Sequence, residues 1–235
     1  MKFHCLFEQS GTFKNMLKEF GHDAFDYDIL NEYGETDHQI DLFHEIEIKY
    51  GLLTGTWNKG KTIFCDMKSE TDFILAFFPC TYFTDLNEIV FKSMQNRSEP
   101  LITAHEIEKV LNRNKERSHF YEIFVKMCFI CHELKIPTII ENPIGMFRRN
   151  YLTLYSPFLP KWFDRDRTKF GDKFIKPTMY IPINFDMKEE FIMFDKEYNT
   201  AQVSKLASSC KERSEITPRY ARNFYKRFIE KAVAV

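Results

Sequence analysis

The sequence has no long apolar run and no excess of positive charge. No stretch reaches the roughly 20 apolar residues that a membrane-spanning helix needs, so we expect no membrane partner. Lysine and arginine number 33 against 34 aspartate and glutamate, a net charge of −1. No global basic field is therefore present to hold a nucleic acid, and any such binding needs a local patch. Internal repeats and low-complexity tracts are also missing, which argues against repeat architectures.

Glycine is scarce, at 8 residues, and the pattern G-x-G-x-x-G is absent. In dinucleotide-binding folds those glycines let the backbone approach a pyrophosphate closely. Here a single glycine, Gly11, stands in the turn 9–12, between an apolar run over 3–8 and a helical pattern through Phe20. The segment predicts a strand, a turn and a helix, whose N-terminus offers unpaired amides to a ligand.

Cysteine is sparse and forms no tight framework. The 6 cysteines are spread along the chain without a secretory segment before them, so we expect reduced thiols and a cytoplasmic location. Cys128 and Cys131 have C-x-x-C spacing but lie in a helical pattern without a second ligand pair. We interpret them as one face of a core helix and predict no metal site, with metal or redox use as the alternative.

Aromatic residues, by contrast, are abundant. They make up 16% of the chain, mostly through 25 phenylalanines, and supply either core area or surfaces on which planar ligands stack. A chain of 235 residues can bury a full core. One large domain and a domain with a small appendage both fit this length.

The chain is organised around the stretch 71–84, TDFILAFFPCTYFT. Its apolar run, 73–78, predicts a strand buried on both faces, which Pro79 ends because proline lacks a ladder donor. Cys80 is thus placed at the exit of a strand. Ligands bind at the carboxyl ends of strands in open α/β sheets, so Cys80 is a candidate nucleophile. The alternative is a packed, inert thiol.

Two acidic residues follow the glycine turn at informative positions. Asp28 stands near the end of a second predicted strand, 24–29, about where α/β folds accept the hydroxyls of a ribose. A solvated turn carboxylate is the alternative for Asp28. Asp41 precedes a helix that begins near Leu42, and it either contacts an adenine amino group or caps that helix.

A second strand end carries a carboxylate. The short apolar strand 138–140 delivers Glu141, Asn142 and Pro143 at its carboxyl end. Two strands of one sheet therefore each finish in a polar, proline-containing turn, one with a thiol and the other with a carboxylate. This convergence is the strongest indication of a site in the sequence.

Arginines are candidates for the same site. Arg165 and Arg167 stand two apart in WFDRDRT, and on a strand they would point the same way and could bind a phosphate or a nucleobase carbonyl. Surface ion pairs with Asp164 and Asp166 are the alternative.

The remaining segments give coarser expectations. We predict a surface loop over 50–62, an amphipathic stretch over 82–98 and a long helix over 104–134 that is interrupted near 112–118. Near the end of the chain, Thr217 is predicted to cap a basic helix. The alternation of strands and helices predicts an α/β fold with a doubly wound, mostly parallel, Rossmann-like sheet.

Taken together, these segments resemble the DNA cytosine-5 methyltransferases, in particular compact members encoded by phages and prophages. LFEQSGTF, GHDAFDYDI and QIDLF are similar to the first three cofactor motifs of the family. FPCTYFT resembles its proline-cysteine motif, and IIENPIGMF its glutamate-asparagine motif. KFGDKFIKPTMYI and RSEITPRYARNFYKRF resemble the closing segments of the phage-type proteins. The order of the motifs matches along nearly the whole chain.

The resemblance implies a methyltransferase that acts on DNA. Cytosine C5 is a weak nucleophile, so a thiolate first adds to C6, and Cys80 would be that nucleophile. Glu141 would hold the ring nitrogen N3 and the exocyclic amine, and Arg165 or Arg167 would steady the carbonyl at C2. The target base would be flipped out of a duplex unless the substrate is single-stranded.

The resemblance also implies a Rossmann-like methyltransferase fold and the cofactor S-adenosyl-L-methionine. The positions that match the family's cofactor motifs are Phe7, Ser10, Gly11, Thr12, Asp28, Ile29, Asp41, Leu42 and Pro79. Asp28 would contact the ribose and Asp41 the adenine.

The chain departs from the family in two places. Between Thr178 and Arg213 there is too little chain for the target-recognition domain of full-length members, and Gln9 stands where they have a glycine. We predict one domain over 1–235, with 144–212 as a small appendage in place of that target-recognition domain, and a protein partner that supplies recognition is an option. The alternatives are a methyltransferase-fold protein that has lost catalysis and binds DNA, a nucleotide or a protein, and an enzyme that acts on RNA or free nucleotides.

Overall fold

The structure, a computed structural model, describes residues 1–83, 103–144, 150–192 and 215–233. These residues form a seven-stranded sheet flanked by helices. The strands are β1 Lys2–Leu6, β2 Asp23–Asp28, β3 His38–Gln39, β4 Asp72–Phe77, β5 Thr138–Pro143, β6 Trp162–Asp164 and β7 Thr178–Ile183. The helices are α1 Thr12–Glu19, α2 Leu42–Thr54, α3 Ala104–Glu133, α4 Leu152–Tyr155, α5 Pro218–Phe228 and α6 Glu230–Val233.

The strand order is β3-β2-β1-β4-β5-β7-β6. The strands β1 to β5 pair in parallel, whereas β7 runs antiparallel to both β5 and β6. The order of the strands reverses between β1 and β4, and in open α/β sheets such a reversal opens a crevice at the carboxyl ends of the strands. The predicted α/β fold with a mostly parallel sheet is confirmed, and the sheet is compatible with a Rossmann-like fold.

The strand β4 lies between β1 and β5 and is buried on both faces, as its apolar run predicts. Ile74 and Ala76 pack into a core with α2 and α3, while Phe73 and Leu75 pack into a second core with α1 and α5. Successive side chains of a strand point to opposite faces, so one unbroken apolar run serves both cores. The helices therefore cover both faces of the sheet.

Two expectations about the helices on one face are wrong. The helix α3 runs for 30 residues without the interruption predicted near 112–118. Lysine, arginine and glutamate in that segment are good helix formers, and a capping box between Thr103 and Glu106 fixes the start of the helix. The helix α2 continues into the predicted loop as far as Thr54 and ends at Gly55, which has a left-handed φ of 76°.

The cysteine pair and the C-terminal cap were predicted correctly. Cys128 and Cys131 are fully buried in α3, and burial raises the pKa of Cys131 to about 12. Thr217 accepts a hydrogen bond from the amide of Tyr220 at 3.2 Å, and Pro218 is the first residue of α5. The helix is less basic on its surface than expected, because Arg227 is buried.

The predicted appendage, 144–212, is described only in part. Its described residues 150–192 supply β6 and β7 to the main sheet. The predicted amphipathic stretch over 82–98 lies outside the described residues from 84 onward. Among the helices of the described segments, none combines the length and the apolar character that crossing a membrane requires.

Candidate functional site

Cys80 and Glu141 lie at the same edge of the sheet. The strand β4 ends at Phe77, and Cys80 follows three residues later. Glu141 belongs to β5, where it pairs in parallel register with Phe77. Cys80 is partly exposed, whereas Glu141 is only 8% exposed. The structure thus places a partly exposed cysteine and a buried carboxyl group at the carboxyl ends of neighbouring strands.

The turn that carries Cys80 follows from its sequence. Pro79 has no amide hydrogen, so β4 cannot extend its ladder at this position. The amide of Phe83 then donates to the carbonyl oxygen of Cys80 at 3.1 Å, which closes a turn. Behind the turn, the side chain of Asn142 donates to the carbonyl oxygen of Phe78 at 2.7 Å. A side-chain hydrogen bond therefore joins the two strand ends beyond the last pair of the β4–β5 ladder.

Arg167 is the arginine that reaches Glu141. Its guanidinium nitrogen Nη1 lies 3.6 Å from Oε1 of Glu141, and its side chain is completely buried. Arg167 also forms an ion pair with Asp172, and its guanidinium lies 4.3 Å from the centre of the ring of Tyr220. Burial alone would lower the pKa of Arg167, but Tyr220 and Asp172 raise it overall, so the group stays charged.

This buried pair has unused hydrogen-bonding capacity. Within the described residues, Oε1 of Glu141 and Nη1 of Arg167 have no hydrogen-bond partner. Buried polar atoms in folded proteins are nearly always bonded to the chain, to water or to a ligand. The two side chains could therefore serve as an acceptor and a donor for a polar ligand.

Arg165 is placed differently from Arg167. The strand β6 ends at Asp164, and a 3-10 helix, Arg167–Phe170, begins after a bend. The expectation that the two arginines share a strand and point the same way is therefore wrong, since Arg165 is exposed and Arg167 is buried. Asp166 caps the 3-10 helix by accepting from the amide of Thr168 at 3.0 Å. Sequence alone could not separate the two arginines, because their separation depends on this bend.

A small cavity lies beside Glu141, between the sheet and the helices α1 and α5. Its volume is about 10 Å³, which is room for about one water molecule. The lining is apolar and aromatic apart from Glu141 and the tyrosine hydroxyls: Phe13, Leu75, Ala76, Phe77, Ile139, Glu141, Tyr180, Ile216, Tyr220 and Phe224. The cavity is therefore largely apolar.

The turn after β1 brings the predicted cofactor residues to the reversal point of the sheet. Phe7 has a positive φ of 61° and its ring packs 5.3 Å from that of Phe78. Gly11 precedes α1 with a left-handed φ of 64°, a conformation that favours glycine. The hydroxyls of Ser10 and Thr12 lie 2.9 Å apart. A Cβ on Gly11 would lie 3.1 Å from Oε2 of Glu35, so the turn is also closely packed.

Glu8 is a residue of this turn that sequence reasoning missed. Its two carboxylate oxygens accept from the amides of Phe13, at 2.7 Å, and Lys14, at 3.3 Å. Burial raises the pKa of Glu8 to about 7. The amides at the start of α1 are therefore occupied by a carboxyl group of the chain. The only signal in the sequence is an acidic residue in the turn itself, five and six positions before its partners.

Asp28 ends β2 beside this turn, and Ile29 follows it. The Asp28 side chain accepts from the amide of Leu30 at 2.8 Å and is mostly buried, and burial raises its pKa. Ile29 is 56% exposed. Asp28 is therefore a turn carboxylate at the strand end, but it is buried and not solvated as the alternative expected.

Asp41 and Leu42 begin α2. Oδ1 of Asp41 accepts from the amides of Phe43 and His44 at 3.0 and 3.3 Å, which confirms the predicted cap. Leu42 is buried in the core. The amide of Ile40 donates to the carbonyl oxygen of Asp28 at 2.9 Å, so the two carboxylates lie at adjoining strand ends.

No protein-family model matches the chain, and no curated protein matches it. A partly exposed cysteine and a buried carboxyl group stand at the ends of β4 and β5, and a buried guanidinium lies 3.6 Å from the carboxyl group. Such a set can add a nucleophile to a planar heterocycle and stabilise the charge that the addition creates.

Proposed function

We propose that this chain transfers a methyl group from S-adenosyl-L-methionine to C5 of cytosine in DNA. The observation that carries the proposal is the placement of Cys80 and Glu141 at the carboxyl ends of neighbouring strands, with Arg167 3.6 Å from Glu141. The resemblance of the motifs around these residues to the cytosine-5 methyltransferases supports it.

The three side chains have complementary tasks in this chemistry. The Cys80 thiolate forms a bond to C6 of the ring, and the electron pair of the C5–C6 double bond moves to C5. Glu141 holds N3 and the exocyclic amine, while Arg167 binds the oxygen at C2 and offsets the negative charge. C5 would then bond to the methyl group as the methyl–sulfur bond of the sulfonium breaks and leaves a neutral thioether. C5 loses its proton to water, and the thiolate leaves from C6. The aromatic ring is then restored.

The first turn fits a cationic ligand better than a phosphate. A helix N-terminus binds anions through its unpaired amides, but Glu8 already accepts from two of those in α1. A pyrophosphate would meet a carboxyl group there, whereas a sulfonium would not be repelled. S-adenosyl-L-methionine would supply the methyl group, and it would lie across Gly11 with its ribose toward Asp28. This preference distinguishes the proposal from a dinucleotide-dependent reaction.

Asp41 could bind the adenine through the carboxylate oxygen that does not cap α2. Its Oδ1 caps α2, and the residue is exposed, so its second oxygen would receive the adenine amino group. Phe7 and Pro79 would flank the cofactor from β1 and β4, on the two sides of the point where the strand order reverses. The proposed cofactor position is therefore next to Cys80, which directly follows Pro79.

Methyl transfer from labelled S-adenosylmethionine to DNA tests the proposal. We expect incorporation into double-stranded or single-stranded DNA with the wild type, and none with Cys80→Ser. Cys65→Ser is the matched control, since Cys65 is an exposed thiol away from this edge and its loss should leave the rate unchanged. Incorporation that survives Cys80→Ser would rule out the mechanism.

A binding protein without catalysis is the second candidate. The cavity described beside Glu141 has room for about one water and does not admit a base. Binding of S-adenosylmethionine and DNA without any transfer would support this candidate. Transfer to RNA or free deoxycytidine, but not to DNA, would instead support an enzyme of different substrate class.

A further inference from the structure

A chain of two buried asparagine side chains links the strand that carries Glu141 to the turn that carries Cys80. Asn142 is completely buried and Asn150 is 1% exposed. The amide nitrogen of Asn150 donates to Oδ1 of Asn142 at 2.7 Å and to the carbonyl oxygen of Pro143 at 2.8 Å. The amide nitrogen of Asn142 donates in turn to the carbonyl oxygen of Phe78 at 2.7 Å. The bonds thus run from Asn150 through Asn142 to the backbone just before Pro79.

Backbone groups fix the direction of both amides. Oδ1 of Asn150 accepts from the amide of Leu152 at 2.8 Å, so its nitrogen must face Asn142 and Pro143. Asn142 therefore presents its oxygen to Asn150 and its nitrogen to Phe78. Neither amide can flip without losing bonds, and in a buried setting an unpaired amide group is costly.

The link stands where the sheet no longer holds the two strand ends together. The last pair of the β4–β5 ladder is Phe77 with Glu141, and Pro79 cannot donate to a further rung. Phe78 lies two residues before Cys80, and Asn142 directly follows Glu141. The asparagine link therefore connects the two strand ends beyond the end of the ladder.

We propose that Asn150 is a positioning residue, which acts through Asn142 to hold the Cys80 turn at a fixed distance from Glu141. This inference rests on the proposed function, in which those two groups engage opposite sides of one ring. Within the described residues, the side-chain hydrogen bonds of Asn150 go to Asn142, Pro143 and Leu152 and not to Cys80 or Glu141. A displacement of about 1 Å in such an arrangement can lower a rate about 100-fold.

The variants Asn150→Ala and Asn150→Asp separate positioning from stability. Aspartate keeps the oxygen that accepts from the amide of Leu152. It replaces the donating amide nitrogen by a second oxygen, which would face Oδ1 of Asn142 and the carbonyl oxygen of Pro143. We expect the methyl-transfer rate at pH 8 to fall about 100-fold in both variants, while the Kd for S-adenosylmethionine changes less than about 2-fold. Protonation of a buried aspartate restores one donor, and burial favours the protonated form. The rate of Asn150→Asp relative to wild type should therefore rise as the pH is lowered to 6, whereas that of Asn150→Ala should stay constant.

Thr138→Ala is the matched control. Thr138 is buried at the other end of β5 and donates one hydrogen bond to the carbonyl oxygen of Ile136 at 3.0 Å. Its loss should lower stability without changing the transfer rate of the folded protein. Wild-type rates in both Asn150 variants, or an equal fall in Thr138→Ala, would overturn the inference.

Alkylation of Cys80 tests the link even if the wild type transfers no methyl group. We expect iodoacetamide to modify Cys80 several-fold faster in the Asn150 variants than in the wild type or Thr138→Ala, because the turn is released. Cys65 is the internal reference in each protein and should react at one rate throughout. An unchanged Cys80 rate would overturn the inference, whereas absent methyl transfer with a changed Cys80 rate would count against the proposed function alone.

Discussion

At the scale of single residues, burial separates side chains that look equivalent in the sequence. Arg165 and Arg167 differ by two positions, yet one is exposed and the other is completely buried against Glu141. Guanidinium groups present a planar fork of donors that a lysine ammonium cannot replace. The two arginines therefore give a matched pair of variants.

Arg167→Lys should lower the methyl-transfer rate about 100-fold, because the ammonium cannot reproduce the donor fork at the developing charge. Arg165→Lys should change the rate less than about 2-fold, since that side chain is exposed. Steady-state transfer of labelled methyl groups to DNA measures both. Similar losses in the two variants would contradict the assignment of Arg167 to the site.

Glu8 makes a prediction about stability and pH. Its pKa in the folded state is raised from 4.5 to about 7, so the folded state binds the proton more tightly than the unfolded state. The stabilisation that comes from this tighter proton binding by the folded state is fully present below pH 4.5 and is lost as the pH rises through 7. Between these limits the wild type should lose about 3 kcal/mol relative to Glu8→Gln, which does not titrate. Urea unfolding across this range measures the difference, and a difference that is independent of pH would contradict the shift.

At the scale of elements, the periodic apolar segments were predictable and the bends were not. The run in β4 and the Thr217 cap of α5 are local features, fixed by alternation and by a side-chain oxygen near the helix start. The bend between β6 and the 3-10 helix depends on tertiary contacts of Arg167. The capping of α1 by Glu8 spans five and six positions, which matches no short-range motif.

In the candidate site too, the features set by local sequence were predictable and those set by tertiary contacts were not. Placement of Cys80 and Glu141 followed from two proline-containing strand exits, because parallel strands bring their carboxyl ends to one edge. The choice between Arg165 and Arg167 required knowledge of which side chain is buried, which only the fold provides. The link through Asn150 required the fold, since that residue lies outside the strand that it supports.

The glycine turn before α1 gives a prediction at this scale. Gly11→Ala should destabilise the protein for two reasons, a left-handed φ of 64° and a Cβ that would lie 3.1 Å from Glu35. Gly21→Ala is the control, because Gly21 has a φ of 81° but no atom within 4 Å of the added Cβ. We expect about 1 kcal/mol for Gly21→Ala from backbone strain and about 1 kcal/mol more for Gly11→Ala from the contact. Equal losses in urea unfolding would show that the turn is not closely packed.

At the scale of the whole molecule, a buried ion pair joins α5 to β6, the strand at one side of the sheet. Arg227 of α5 bonds both oxygens of Asp164 in β6, at 2.9 and 3.1 Å, and Glu189 at 2.6 Å. Tyr220, which packs against Arg167, also donates to Asp164 at 2.7 Å. These contacts connect α5 to the surroundings of the candidate site.

Arg227→Met should therefore destabilise the protein by about 3 to 5 kcal/mol, because it leaves the Asp164 carboxylate buried without its cation. Arg222→Met is the control on the same helix, where an exposed pair with Glu19 should contribute about 1 kcal/mol or less. Urea unfolding measures both losses. A small loss in Arg227→Met would mean that this helix is not coupled to the sheet edge.

Covalent trapping tests the central claim most directly. The wild type is incubated with S-adenosylmethionine and DNA that contains 5-fluorocytosine. Its C5 carries fluorine in place of hydrogen, so after methylation C5 has no proton to lose and the thiolate cannot be eliminated. We predict a denaturation-resistant complex whose cross-linked peptide contains Cys80, and no such complex with Cys80→Ser. A cross-link through another cysteine, or methyl transfer to cytosine without a trapped complex on the fluorinated DNA, would contradict the claim.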